Sequence, residues 1–359
     1  MATAMTTARR ERPGPTILPT SVIGSYALPG WLWTAVEAIR AGKYGQTDAR
    51  ETFDDAVQLA VRDQERAGVD VITDGEMRRW MFVQGFYSHF TGLEELPPLR
   101  TQGVYGYDSP PRYRLVERIT APEGLGIVAV LAFLRRHTER AIKMTCPGPL
   151  TLTIHMQARA GDAYNGDRLA LAYDVAGIVN RELHALADAG ATVIQLDEPS
   201  YSIVPGETAH WVKLYNTAVA GVRERGVRLG LHVCFGNLSS RPRGKRRYGW
   251  MFPALLDAEC DELVLEFANR ELVELDLLGE IAKTRDVAAG LVDVKSFYVE
   301  TPDDVAERIR LALEHVPPER LTIVPDCGFF QLPRWLAFQK LQRMVEGTLR
   351  VRRDLLGRA

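Results

Sequence analysis

From about residue 18 the chain alternates short β-branched, apolar runs with longer stretches in which apolar positions recur every three or four residues. The short runs fall at 21–23, 69–73, 141–145, 192–196, 228–234, 262–266, 288–294 and 321–325. Helical period is clearest over 51–67, 167–189, 207–225, 301–315 and 333–355. Short apolar runs of this kind fit strands buried on both faces, and the periodic segments between them fit crossover helices. Eight such β/α units predict a single (β/α)8 TIM barrel rather than an open sheet. One stretch breaks the rhythm. Residues 80–118, rich in aromatics, prolines and glycines and without helical period, are expected to form an inserted hairpin or lid between units two and three. The domain is expected to span residues 18–359, preceded by a flexible Ala/Thr/Arg/Pro-rich arm over 1–17.

Composition narrows the partners. With 359 residues, 46% of them hydrophobic, the chain can bury a sizeable core. A formal charge of -2 and a pI near 6.4 give no electrostatic reason to expect nucleic acid or an anionic membrane. No run reaches the roughly 18 apolar residues of a membrane helix. Residues 1–17 hold no apolar signal region, and Cys146, Cys234, Cys260 and Cys327 are too scattered for a disulfide framework, so a cytoplasmic protein is expected. The basic run at 241–247 reads either as a solvated loop or as a docking element.

In a barrel, chemistry collects where strands stop and βα loops begin. Polar residues cluster there in nearly every unit: Ile23-Gly24-Ser25, Asp74-Gly75-Glu76, Asp197-Glu198-Pro199, His232 and Cys234, Glu266, Asp293 with Lys295, and Asp326-Cys327-Gly328. Singly, each has an ordinary reading as turn chemistry, a helix cap or a buried thiol. Alternate strand residues share a face, so His232 and Cys234 can share a metal ion. With Glu266 and Cys327 from the next strands they make a four-ligand set of the type Zn2+ prefers. Cys260 precedes its strand and is expected to be structural. Cys146 is expected in the pocket wall.

In this order the motifs IGS, DGE, GPLTL, IQLDEPS, HVC, LEF and PDCG resemble the catalytic barrel of the cobalamin-independent methionine synthase family, in a short, single-barrel form, within the uroporphyrinogen decarboxylase-like superfamily. The resemblance covers almost everything from Ile23 to Leu355. It implies zinc on His232, Cys234, Glu266 and Cys327. It also implies homocysteine as acceptor, its carboxylate at the Ile23-Gly24-Ser25 turn and its ammonium between Glu76 and Asp197. A zinc-bound thiol loses its proton at neutral pH and stays nucleophilic when thiolate ligands donate charge to the metal.

Three positions depart from the family. Its pterin-stacking tryptophan falls on His155, its folate-contacting glutamate near Ile203, and its proton-donating histidine on Lys295. A methyl on a folate nitrogen leaves only with a proton, whereas a methyl on cobalt leaves without one. The expected donor is therefore a methylcorrinoid, as methylcobalamin or a corrinoid protein docked at the basic loop. Methyltetrahydrofolate is the lesser expectation, served by Lys295 as acid if its pKa is depressed. Tyr105, Tyr107 and Tyr113 are candidate donor-pocket residues, with ordinary packing as the alternative for each. A zinc S-alkyltransferase acting on a thiol such as coenzyme M is the competing reading; that thiol lacks an ammonium and would leave Glu76 and Asp197 without a purpose. A hydrolase and a structural zinc module fit less well, because the first strand lacks H-x-H and the ligands sit at the barrel mouth.

Overall fold

The computed structural model describes residues 12–79, 82–97, 111–237 and 245–357. Among the described residues ten strands run in chain order as β1 Val71–Ile72, β2 Thr91–Leu96, β3 Arg112–Thr120, β4 Ala141–Pro147, β5 Met156–Gln157, β6 Val193–Asp197, β7 Arg228–Val233, β8 Glu262–Glu266, β9 Asp286–Val292 and β10 Leu321–Pro325. Seven of them form one all-parallel sheet in the order β1-β4-β6-β7-β8-β9-β10. The sheet closes through residues 20 and 21, where Thr20 bridges Ile323 of β10 and Ser21 bridges Val71 of β1. The fold is a (β/α)8 barrel whose eighth staff is two isolated bridges.

The staff expected at 21–23 is this short for local reasons. Pro19 has no N–H to extend the ladder backwards, and the chain turns away at Gly24. The pairing runs from Ile323 N–H to Pro19 O at 2.8 Å and Ser21 N–H to Ile323 O at 3.0 Å on one side, and from Val71 N–H to Thr20 O at 3.0 Å on the other. The strand expected at 288–294 begins two residues earlier, at Asp286. That charged start is tolerated because Arg228 donates to Asp286 at 2.8 Å on the barrel floor.

Helices cover the outside of the sheet. Arg168–Asp188 starts at Asp167, whose carboxylate accepts from the N–H groups of Leu169 and Ala170, and Pro302–Leu313 starts at a Thr301/Asp304 capping box with proline in its first turn. The Gln46–Ala67 helix stops at Gly68, which adopts the left-handed conformation at φ +85°.

Between units two and three, β2 and β3 pair antiparallel as a hairpin, and β5 adds to β3 in parallel. Trp80, Tyr105 and Tyr107 lie outside the described residues. Tyr113 packs its ring 4.5 Å from that of Tyr87. Of the segment expected as a loose arm, residues 12–17 are described, and Arg12 reaches the barrel floor at Thr322 and Asp286. No helix among the described residues is long and apolar enough to cross a membrane.

Candidate active site

Strand alternation sends Gln195 and Asp197 of β6 and His232 of β7 into the barrel, and β6 and β7 pair so that Asp197 stands beside His232. His232 Nδ1 lies 2.8 Å from Asp197 Oδ1. A carboxylate only accepts, so Nδ1 carries the proton and Nε2 presents a lone pair. That Nε2 is buried and has no hydrogen-bond partner. Burial works against a charged imidazole here, but the hydrogen bond and charge of Asp197 outweigh it and hold the His232 pKa above its ordinary value.

One ligand atom from each of His232, Cys234 and Cys327 lies within 4.8 Å of the others. The two Sγ atoms are 3.7 Å apart. Two thiolates sharing a zinc ion at about 2.3 Å in tetrahedral geometry stand ~3.8 Å apart, so the donor set fits zinc. The hydrogen bond from Cys234 brings the Cys327 thiol down to about 7, with burial opposing and His232 and Lys295 assisting.

Glu266, expected as the fourth ligand, stands outside this group of three. Its Oε2 accepts from Lys295 Nζ at 2.5 Å and from Phe235 N–H at 3.3 Å, while Oε1 is buried without a partner. A buried carboxylate needs a counter-charge, and Lys295 supplies it. The expected role of Lys295 as an acid requires a depressed pKa, and Lys295 does not line the cavity. Burial would lower its pKa, but Glu266, Cys327 and Asp326 more than reverse that, so the pKa is raised. In this arrangement Lys295 is the counter-ion of Glu266.

The three thiol and imidazole groups open onto a cavity of about 320 Å³, also lined by Ile23, Ser25, Glu76 and Asp197. Glu76 sits in the left-handed region at φ +57°, a strained backbone that aims its side chain across the turn. Its Oε1 accepts from Thr145 Oγ1 at 2.8 Å and lies 3.2 Å from the Arg79 guanidinium. Burial pushes Glu76 up to about 7, opposed by Arg79 and reinforced by Asp197 and Asp74. Gly24 is backbone to this arrangement, because a Cβ there would stand 2.2 Å from Glu76 Oε1. Ser25 is placed in the same way: its oxygen Oγ would be 2.0 Å from a Cβ at Gly328, and its carbonyl accepts from Phe329 N–H at 2.8 Å. The IGS, DGE and PDCG turns thus fix one another.

Glu198 performs turn chemistry. It accepts from the N–H groups of Leu150 and Thr151 and from Thr151 Oγ1, and burial pushes it up to about 8. Cys260 is buried near the floor, 3.2 Å from Arg285. Cys146 is fully buried and absent from the cavity wall, against expectation, because it points out of the barrel into the main core. His155 and Ile203 both line the cavity, whereas Tyr113 does not. Of the basic loop, residues 245–247 are described, and Arg246 is tied to Asn269; residues 241–244 lie outside the described residues. Sequence reasoning missed Arg79, Thr145, Gln195 and the aromatic wall at Phe82 and Phe330. Gln195 alone carried a signal, standing two residues before Asp197 on the same strand face.

A (β/α)8 barrel whose mouth gathers a His-Cys-Cys group able to hold a metal ion beside paired acids is the frame of an enzyme site. Residues 18–349 match the family described as the cobalamin-independent synthase catalytic domain. The chain is 35% identical over 341 residues to a methionine synthase of Sulfurisphaera tokodaii, covering 94% of each chain. It is 35% identical to one of Thermococcus kodakarensis over 340 residues, covering 94% of this chain and 95% of that one. A solved B12-independent methionine synthase from Shewanella sp. W3-18-1, in complex with selenomethionine, superposes with a TM-score of 0.80 at 28% identity, covering 95% of this chain and 99% of the other. The chain belongs to the cobalamin-independent synthase family and is a methyltransferase of the methionine synthase type.

Proposed function

We propose that the protein makes methionine by moving a methyl group onto the sulfur of homocysteine, within a single catalytic unit spanning residues 18–359. One observation carries the reading: the His232, Cys234 and Cys327 donor atoms and the Glu76 and Asp197 carboxylates face one cavity. His232, Cys234 and Cys327 would hold zinc, with Glu266 Oε1 as the fourth donor. A zinc ion there supplies a Lewis acid that makes a thiol acidic at neutral pH. Asp197 holds His232 in the ligating tautomer. Glu76 and Asp197 together neutralise the amino-acid ammonium, a buried cation that must be paired. The Ile23-Gly24-Ser25 turn takes the carboxylate, and the apolar wall of Phe82, Ile154 and Phe330 keeps water from the reacting sulfur. The selenomethionine held by the Shewanella relative is an analogue of the product. Coenzyme M, without an ammonium, would leave Glu76 and Asp197 unmatched. The four cysteines are free, in keeping with a cytoplasmic setting.

For the donor, membership of a cobalamin-independent family favours methyltetrahydrofolate over the methylcorrinoid expected from sequence, and no comparison supports the corrinoid. The corrinoid stays as a second reading on one observation. His155 and Ile203 occupy the cavity wall where the resemblance puts folate-serving residues, and Lys295 is withdrawn from it. The test is methionine formation by zinc-loaded protein from homocysteine with each donor in parallel, with Cys327→Ser as control. Turnover with methyltetrahydrofolate is expected. Turnover with methylcobalamin alone would reverse the choice of donor, and activity with neither while zinc is bound would refute the reading.

A further inference from the structure

One side of the barrel interior is polar, facing the apolar cluster of Ile23, Val264, Ala288 and Val324. Lys143 of β4 and Gln195 of β6 are both buried, and neither belongs to the set of groups that touch the cavity. They are joined in a line. Lys143 Nζ donates to Val22 O and, at 2.7 Å, to Gln195 Oε1. Gln195 Nε2 donates to Ile23 O at 3.0 Å and to Asp197 Oδ1 at 2.7 Å. Asp197 Oδ1 then accepts from His232 Nδ1 at 2.8 Å.

This line has a polarity that only one end can set. An ammonium has three donors and no acceptor, so the amide oxygen of Gln195 must face Lys143 and the amide nitrogen must face Asp197. Flipped, the amide would put an oxygen against the carboxylate and a second donor against the ammonium. With the nitrogen in place, Asp197 Oδ1 receives two donors, and His232 is held as the Nδ1–H tautomer. Lys143 and Gln195 also hold the carbonyls of Val22 and Ile23, which lead into the Gly24-Ser25 turn.

We infer that Lys143 and Gln195 are positioning residues that orient the Asp197–His232 pair from inside the barrel and so set the metal affinity of a site they never touch. The inference rests on the metal reading given above and deepens it. Removing an outer hydrogen-bond partner of a ligating histidine typically weakens metal binding about 10–100-fold.

The probe is Co2+ alone, titrated into metal-free full-length protein against a chelator. Its thiolate-to-metal absorption and visible bands report ligand number and geometry independently of turnover. Gln195→Glu keeps the volume and the bond to Lys143 but sets an oxygen against Asp197. Lys143→Met removes the ammonium that fixes the amide, and Lys143→Arg restores a donor-only group. The expected result is a 10–100-fold weaker Co2+ affinity with altered visible bands in Gln195→Glu and Lys143→Met, a partial return in Lys143→Arg, and thermal melts showing each protein folded. If Lys143→Met does not fold, Gln195→Glu decides the matter. Affinity and bands within twofold of the parent in a folded Gln195→Glu would overturn the inference. Failure of the unmodified protein to bind Co2+ with thiolate absorption would instead overturn the metal reading itself.

Discussion

Replacing Glu76 by glutamine tests the amino-acid half of the site. The amide can keep its oxygen on Thr145 and Arg79, so the turn should hold, but the second atom becomes an NH2 facing the ligand ammonium. Losing one charge-assisted partner costs about 1.5–3 kcal/mol, or roughly 10- to 150-fold in affinity. The pH dependence is sharper evidence. Burial raises Glu76 in the folded protein to about 7, so the free site holds that proton more tightly than an exposed glutamate does. An ammonium binds the ionised form and expels the proton. Affinity should therefore rise as pH rises, by about tenfold per unit below about 7, and level off above it. Glu76→Gln should be flat over the same range. The assay is calorimetric titration of zinc-loaded protein with methionine, which carries no titrating thiol, repeated with 4-methylthiobutanoate, which lacks the ammonium. The reasoning is refuted if Glu76→Gln binds methionine as tightly as the parent, if the pH slope survives the substitution, or if both ligands weaken equally.

Gly24→Ala should weaken methionine binding about as much as Glu76→Gln while leaving metal content intact, because its Cβ would intrude on Glu76 Oε1; retained affinity would show that Glu76 is not held by that turn. Lys295→Met leaves Glu266 buried and uncompensated, a loss of about 3–5 kcal/mol of stability in metal-free protein. Because the Lys295 pKa is raised on folding, that contribution is fully present below the ordinary lysine range and fades only as pH rises above it. The melting difference should therefore be constant across neutral pH, and an unchanged melting point would refute the counter-ion role. Chelation of zinc, or Cys327→Ser, should abolish turnover yet leave the circular dichroism spectrum unchanged. Unfolding on chelation would make the metal structural.

The strands and the site were legible for different reasons. β6, β7, β8 and β10 announce themselves because the helices bury their outer face and the barrel interior their inner one, so apolar residues predominate along them. The Gly30–Arg40 and Ile127–Leu134 helices were passed over. Ile127–Leu134 is apolar throughout and carries no periodic signal. Cys234 and Cys327 could be paired from strand order. What could not be read was the state of a charge inside the barrel. That Lys295 pairs with Glu266, at 2.5 Å, has no mark in the sequence. Lys143 reads in sequence as an interruption of an apolar strand; its partner Gln195 lies 52 residues away.

The seam of the barrel has a consequence of its own. Most neighbouring staves are joined by ladders several residues long, but the staff at residues 20 and 21 has one bridge on either side. Its anchorage comes from below: Asp70 accepts from the N–H and hydroxyl of Thr20, and Arg352 of the last helix reaches both Asp70 and Leu18 O. Two residues beyond this staff begins the Ile23-Gly24-Ser25 turn, which lines the cavity. The ring is thus fastened at its thinnest point by the two ends of the chain. The first local opening to be expected there, well below the free energy of global unfolding, would dismantle half of the pocket while leaving His232, Cys234 and Cys327 together. Metal retention and amino-acid binding are in this sense separate properties of the chain, lost in sequence as it loosens, and amide exchange at Ser21 and Val71 is where the first loss would be visible.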